Sequence, residues 1–140
     1  MGVESAFDMK QDSRSETTVD SRKILIVEDE PLIAWSLADM IRALGYEVSA
    51  TVATESAAVA GASGCDAVLM DYRLAGGGSG LEAARKIRES ANMPIVFCTA
   101  YADEPGLAAE MRAVPHAALI AKPVSQAKLR EALSQVFAAP

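Results

Sequence analysis

Five polar residues, Glu28, Asp29, Asp71, Thr99 and Lys122, stand at the ends of short apolar runs. Glu28-Asp29-Glu30 follows Ile24-Leu25-Ile26-Val27, and Asp71 follows Ala67-Val68-Leu69-Met70. Thr99 ends the run Pro94-Ile95-Val96-Phe97-Cys98, and Lys122-Pro123 follows Ala117 to Ala121. Brought to one edge, Glu28, Asp29 and Asp71 concentrate like charge, which is unfavourable unless a cation is present. An oxygen-only set with room for water suits a hard ion such as Mg2+, which keeps several waters and takes one or two carboxylates. Asp71 can also act as a nucleophile toward phosphorus, because carboxylates form acyl phosphates. Lys122 adds a compact positive charge for a carboxylate or a phosphoryl oxygen, and Thr99 a hydroxyl for the same oxygens. The chemistry open to this set is phosphoryl transfer, which runs on positioning and on neutralising the moving charge. A lone Asp after a strand is ordinarily a helix cap or a solvated loop residue. Acid, hydroxyl and ammonium at four run ends together are much harder to explain that way.

These groups meet only if the runs are parallel strands of one sheet. Ile24 to Val27 is apolar throughout, as a strand buried on both faces must be. Pro31 suits a helix start, Ile33, Leu37, Met40, Ile41 and Leu44 recur at helical spacing, and Gly45 stops the helix. Tyr46 to Val52 is more polar and fits a sheet edge. Thr54 can cap an alanine-rich helix ending near Gly61 to Gly64. After Asp71 the glycine-rich stretch Gly76-Gly77-Gly78-Ser79-Gly80 leads into a helix from Leu81 to about Ala91. A weak helix over Glu104 to Val114 is interrupted on paper by Pro105 and Gly106, with Pro115 just beyond it. Leu129, Leu133, Val136 and Phe137 mark the last helix. The alternation predicts an α/β fold: a flavodoxin-like, doubly wound, five-stranded parallel sheet, order 2-1-3-4-5, with helices on both faces. Ligands of such sheets sit beyond the carboxyl ends of the strands, where the order reverses.

Residues 1–21 are rich in Ser, Thr, Asp and Glu without a period and read as a flexible polar tail, leaving 22–140 as one domain. The formal net charge of -6 argues against a nucleic-acid partner. The densest basic stretch, Arg85-Lys86-Ile87-Arg88, is flanked by Glu82 and Glu89 and reads as a solvated helix face. No run approaches the ~18 apolar residues of a membrane span. Acids appear early in Met1-Gly2-Val3-Glu4-Ser5, unlike a secretion signal, and Ala6 stands where myristoylation needs Ser or Thr. The expectation is a cytoplasmic protein without membrane insertion. Cys65, Cys98 and His116 are too few for a structural zinc site, and Cys98 reads as a buried thiol.

With these residues in view, Lys23 to Ala138 resembles the response-regulator receiver family of two-component systems. Ile24-Leu25-Ile26-Val27-Glu28-Asp29-Glu30-Pro31 is similar to the family's opening strand and acidic pair. The resemblance implies that Asp29 binds Mg2+ directly, that Glu28 acts through water, and that the backbone carbonyl of Arg73 is a further ligand. It implies Asp71 as phospho-acceptor, Thr99 as switch hydroxyl, and Lys122-Pro123 as the family's lysine with its usually cis-bonded proline. Pro94 to Tyr101 also looks like the P-F-x-F-A-T-G-Y signature of the "FAT GUY" receivers. Pro94, Phe97, Thr99 and Tyr101 match, while Ile95, Cys98 and Ala100 depart.

Other departures bear on output. Ala75 stands where receivers commonly have proline, in a loop one residue longer, and Leu119 occupies the place of the aromatic that usually rotates on activation. Tyr101 is a candidate to report phosphorylation in its stead, and Arg73 and Tyr101 together are candidates to slow hydrolysis of phospho-Asp71. The implied protein is a single-domain regulator, not an enzyme. A histidine kinase or histidine phosphotransfer protein phosphorylates it, and it signals through a changed protein-binding surface on the fourth helix, fifth strand and fifth helix. Three readings compete. A haloacid-dehalogenase-type phosphatase would carry a second Asp where Arg73 stands. A nucleotide-binding module rests on the lone Gly78-x-Gly80-x-x-Ala83, which follows the third strand where the dinucleotide fingerprint belongs on the first. A receiver that binds partners without phosphorylation keeps the fold and loses the chemistry.

Overall fold

The structure is a computed structural model and describes residues 21–138. The polar tail expected over 1–21 lies, but for Ser21, outside the described residues. Strands β1 (Lys23–Val27), β2 (Glu47–Val52), β3 (Ala67–Asp71), β4 (Ile95–Thr99) and β5 (Ala117–Ala121) alternate with five helices. These are α1 (Pro31–Ala43), α2 (Glu55–Gly61), α3 (Gly80–Arg88), α4 (Pro105–Arg112) and α5 (Gln126–Ala138). All pairings are parallel and the order is β2-β1-β3-β4-β5, the predicted 2-1-3-4-5.

The strands read as unbroken apolar runs because both of their faces are covered. Leu25, Val27, Val68, Met70, Ile95 and Phe97 pack with Ala58 of α2, Leu81, Ala84 and Ile87 of α3 and Met111 of α4. The alternate residues Ile24, Ile26, Leu69, Val96 and Cys98 pack with Leu37 and Ile41 of α1 and Leu129, Leu133 and Val136 of α5. β2, with one neighbour, is the polar edge strand the sequence suggested, and its register against β1 shifts between Ile24 and Leu25.

Helix ends follow the local chemistry. Gly45 takes a φ of 97° and its amide bonds the Arg42 carbonyl at 3.0 Å, while the Tyr46 amide returns to Ile41 at 3.2 Å. This Schellman closure turns α1 into β2. Thr54 and Ser79 cap α2 and α3 through side-chain oxygens that accept from Ala57 and Glu82, each at 3.1 Å. Two helix expectations need correction. α3 stops at Arg88, short of Ala91, because the amides of Glu89 and Ser90 bond only three residues back, to the Lys86 and Ile87 carbonyls, which tightens the last turn. α4 begins at Pro105 instead of being weakened by it. At the first helical position a missing N–H costs nothing, since that group has no partner in the helix.

Candidate functional site

The site is built where the central strand β3 and its neighbour β1 end beside β4 and β5. Among the described residues, Glu28 and Thr99 are the buried polar side chains, and both belong to it. Glu28 continues β1, its amide bonded to the Val52 carbonyl at 2.9 Å, so its side chain turns inward where a solvated carboxylate would not go. Burial of a carboxylate is costly unless partners compensate. Here Glu28 Oε2 accepts from the Glu30 amide at 3.1 Å and Oε1 from Lys122 Nζ at 3.3 Å.

Lys122 is held between two acids, with Nζ also 3.1 Å from Asp71 Oδ1. Asp71 Oδ1 further accepts the Tyr72 amide at 3.0 Å. Asp29 is exposed, and carboxylate oxygens of Glu28, Asp29 and Asp71 all lie within 4.8 Å of one another. Three carboxylates against one ammonium leave an excess of two negative charges when all are ionised, the charge of one divalent cation. The donor set is all oxygen and partly open to water, so these residues fit a hard divalent ion.

The electrostatics show the same crowding. Burial, with the neighbouring charge of Asp71, raises the Glu28 carboxyl above its ordinary value against the opposing pull of the Glu30 amide and Lys122. Burial works against the Lys122 ammonium, but the hydrogen bond and charge of Asp71 and the charge of Glu28 outweigh it and raise its pKa.

Thr99 ties the neighbouring loops together. Its hydroxyl oxygen accepts the Tyr101 amide at 2.9 Å and its carbonyl accepts the Lys122 amide at 2.9 Å. The Lys122–Pro123 peptide bond is cis. Tyr101 stands over the rim. Its ring meets the Tyr72 ring edge-on at 5.7 Å, and the Arg73 guanidinium lies 4.9 Å from its centroid. Leu119 does not join the site: it pairs with Phe97 across the sheet and packs half-buried on the α2, α3 and α4 side.

The loop after Asp71 replaces the missing proline with docking. The Ala75 amide bonds the Ala53 carbonyl at 3.0 Å, the Leu74 amide bonds Gly78 at 3.2 Å, and Gly76 and Gly77 turn the tip at φ of 79° and 80°. Glu55 at the start of α2 pairs with Lys86 of α3 at 2.5 Å and fastens the same corner. Sequence reasoning did not single out Tyr72 or Glu55 and gave Gly80 no part in positioning Asp71. Only Gly80 left a signal, as a glycine opening a helix where another residue propagates better.

The fold agrees with the comparisons. The profile of the response regulator receiver domain matches residues 24–134. The chain belongs to the response regulator receiver family. It is 37% identical over 139 residues to the phyllosphere-induced regulator PhyR of Methylorubrum extorquens, covering 96% of this chain and 51% of that protein. The receiver domain of the Erythrobacter litoralis PhyR superimposes with a TM-score of 0.73 at 33% identity, covering 86% of this chain and 95% of that domain. The receiver domain of the sensor histidine kinase PA1611 from Pseudomonas aeruginosa gives a TM-score of 0.75 at 33% identity, covering 86% of this chain and all of that one. That receiver holds a magnesium ion in its active-site cleft. The chain spans about half the length of the first curated relatives it matches, 51% and 55% of theirs. Among the described residues no helix is long and apolar enough to cross a membrane.

Proposed function

We propose that this receiver accepts a phosphoryl group on Asp71 from a phosphohistidine donor, a histidine kinase or histidine phosphotransfer protein. One observation carries the reading: the Asp71 carboxylate lies 3.1 Å from the Lys122 ammonium, within a carboxylate cluster completed by Glu28 and Asp29. A carboxylate oxygen of Asp71 attacks phosphorus, an O–P bond forms and the P–N bond breaks. The imidazole leaves with that electron pair. Lys122 moves its charge from the carboxylate toward the incoming phosphoryl oxygens, and the Thr99 hydroxyl keeps a hydrogen to donate to them. Glu28, Asp29 and Asp71, with the Arg73 carbonyl as a further candidate ligand, would hold Mg2+, which neutralises charge on the transferred group. Tyr101, two residues beyond Thr99, reports the phosphorylated state at the surface in place of Leu119. The output is recognition by another protein.

The test is intact mass after incubation with Mg2+ and acetyl phosphate, where acetate replaces imidazole as leaving group. One labile phosphoryl addition is expected on the wild type, and none on Asp71→Asn or without metal. A wild type that stays unmodified with acetyl phosphate and with its kinase overturns the reading in favour of a phosphorylation-independent binding receiver.

A further inference from the structure

Lys128 lies in the first turn of α5, where the helix dipole disfavours a cation. The helix start does not depend on its ammonium, because the Ser125 hydroxyl oxygen already accepts the Lys128 amide at 3.1 Å. The side chain runs back toward the amino end of the helix, as helical side chains do. There Nζ donates to the backbone carbonyls of Ala121 at 3.3 Å and Pro123 at 3.2 Å. Those two carbonyls stand on either side of Lys122, whose own amide is bonded to Thr99 at 2.9 Å. The backbone that launches the Lys122 side chain is thus fixed from the sheet by Thr99 and from α5 by Lys128. Among the described residues the exposed Lys128 ammonium has no carboxylate partner to draw it away.

We propose that Lys128 is a positioning residue for Lys122. By clamping the carbonyls that flank it, Lys128 keeps the Lys122 ammonium aimed at Asp71. The role rests on the phospho-acceptor reading above, since aim matters where a phosphoryl group must be met. Reactions of this kind are sensitive to small displacements of a charged group.

The experiment compares wild type, Lys128→Met and Lys128→Arg in phosphorylation rate at saturating acetyl phosphate at low and high salt, half-saturating Mg2+, hydrogen exchange of the Lys122 amide, and melting temperature. Lys128→Met is expected to slow phosphorylation about three- to tenfold, the scale that one or two surface hydrogen bonds carry. It should change half-saturating Mg2+ far less than Asp29→Asn does, because Lys128 touches no carboxylate of the cluster, and it should speed exchange at Lys122. Lys128→Arg, which can still donate to both carbonyls, should restore the rate and the protection. Unchanged rate and exchange in Lys128→Met overturns the role, as does a lower melting temperature with the rate intact. A rate loss that disappears at high salt also overturns it, since that marks charge acting at a distance. If the wild type accepts no phosphoryl group from acetyl phosphate or kinase, the phospho-acceptor reading fails. Lys122 exchange still decides whether the clamp exists.

Discussion

Gly80 opens α3 directly against the backbone of Asp71: its amide bonds the Tyr72 carbonyl at 2.6 Å, and a Cβ there would collide with the Asp71 carbonyl oxygen. The helix can come this close only without a side chain, and the contact fixes where β3 ends. Gly80→Ala gains helix propensity of about 1 kcal/mol at most. The collision is with backbone, which cannot swing aside, so a loss of about 1–3 kcal/mol should win. Urea denaturation should show the net loss, together with slower phosphorylation of Asp71. A variant as stable and as fast as wild type would show that α3 moves away freely.

The stack of Arg73 and Tyr101 should govern how long phospho-Asp71 lasts. An exposed cation–π contact is worth about 0.5–1 kcal/mol, a factor of about two to five in a rate. Arg73→Ala with Tyr101→Ala should shorten the half-life of the phosphorylated protein by at least that factor, read by loss of the mass addition with time. Equal half-lives would leave the pair as surface packing. Tyr101→Ala alone should also weaken the response of the protein partner while Asp71 is still phosphorylated.

Trp35, the one tryptophan of the chain, lines a cleft together with Glu28 and Asp29 and is 69% exposed. Mg2+ entering the acid cluster should therefore change Trp35 emission in a saturable titration. A chelator should reverse the change, and Asp29→Asn should weaken the binding. A flat titration in the wild type would argue that the three acids hold no such ion.

Cys98 is buried beside the site, and burial pushes its thiol up to about 12 from the ordinary 9.0. The thiolate is the reactive form, so a maleimide or iodoacetamide at pH 8 should modify half-buried Cys65 well before Cys98. Denaturant should expose Cys98 to the same reagent. Below the ordinary value both states keep the proton; above it the unfolded thiol ionises while the folded one does not. Stability is then lost as pH rises from about 9 toward 12. Cys98→Ala should lose less than wild type between pH 8 and 10.5 in parallel urea titrations.

The legible parts of the fold were those where one physical requirement rules the sequence. Ile24 to Val27 and Ala67 to Met70 had to be apolar at every position because helices cover both faces, and β2 could be polar because its residues stand exposed or half-buried at the margin of the sheet. Glu28, Asp29, Asp71 and Lys122 were readable as a group because each ends a strand, and they do meet. Pro105 misled because the same residue breaks a helix interior and favours its first position. Arg73 and Tyr101 were paired in advance, but the edge-on contact of Tyr72 with Tyr101 was beyond reach, since it joins two loops whose approach only the closed sheet defines. Ala75 looked like a defect where a proline was missing. What replaces the proline is a hydrogen bond to Ala53, 22 positions earlier in the chain.

The alternation of β3 between two helical layers limits how this chain can change length. Dropping or adding a single residue between Ala67 and Met70 would exchange the layers served by Val68, Leu69 and Met70, and would turn Asp71 away from Lys122. No such parity binds the loop tip at Gly76 and Gly77, where two left-handed glycines absorb the path. Insertions and deletions inherited around Asp71 should thus accumulate on its carboxyl side and spare its amino side.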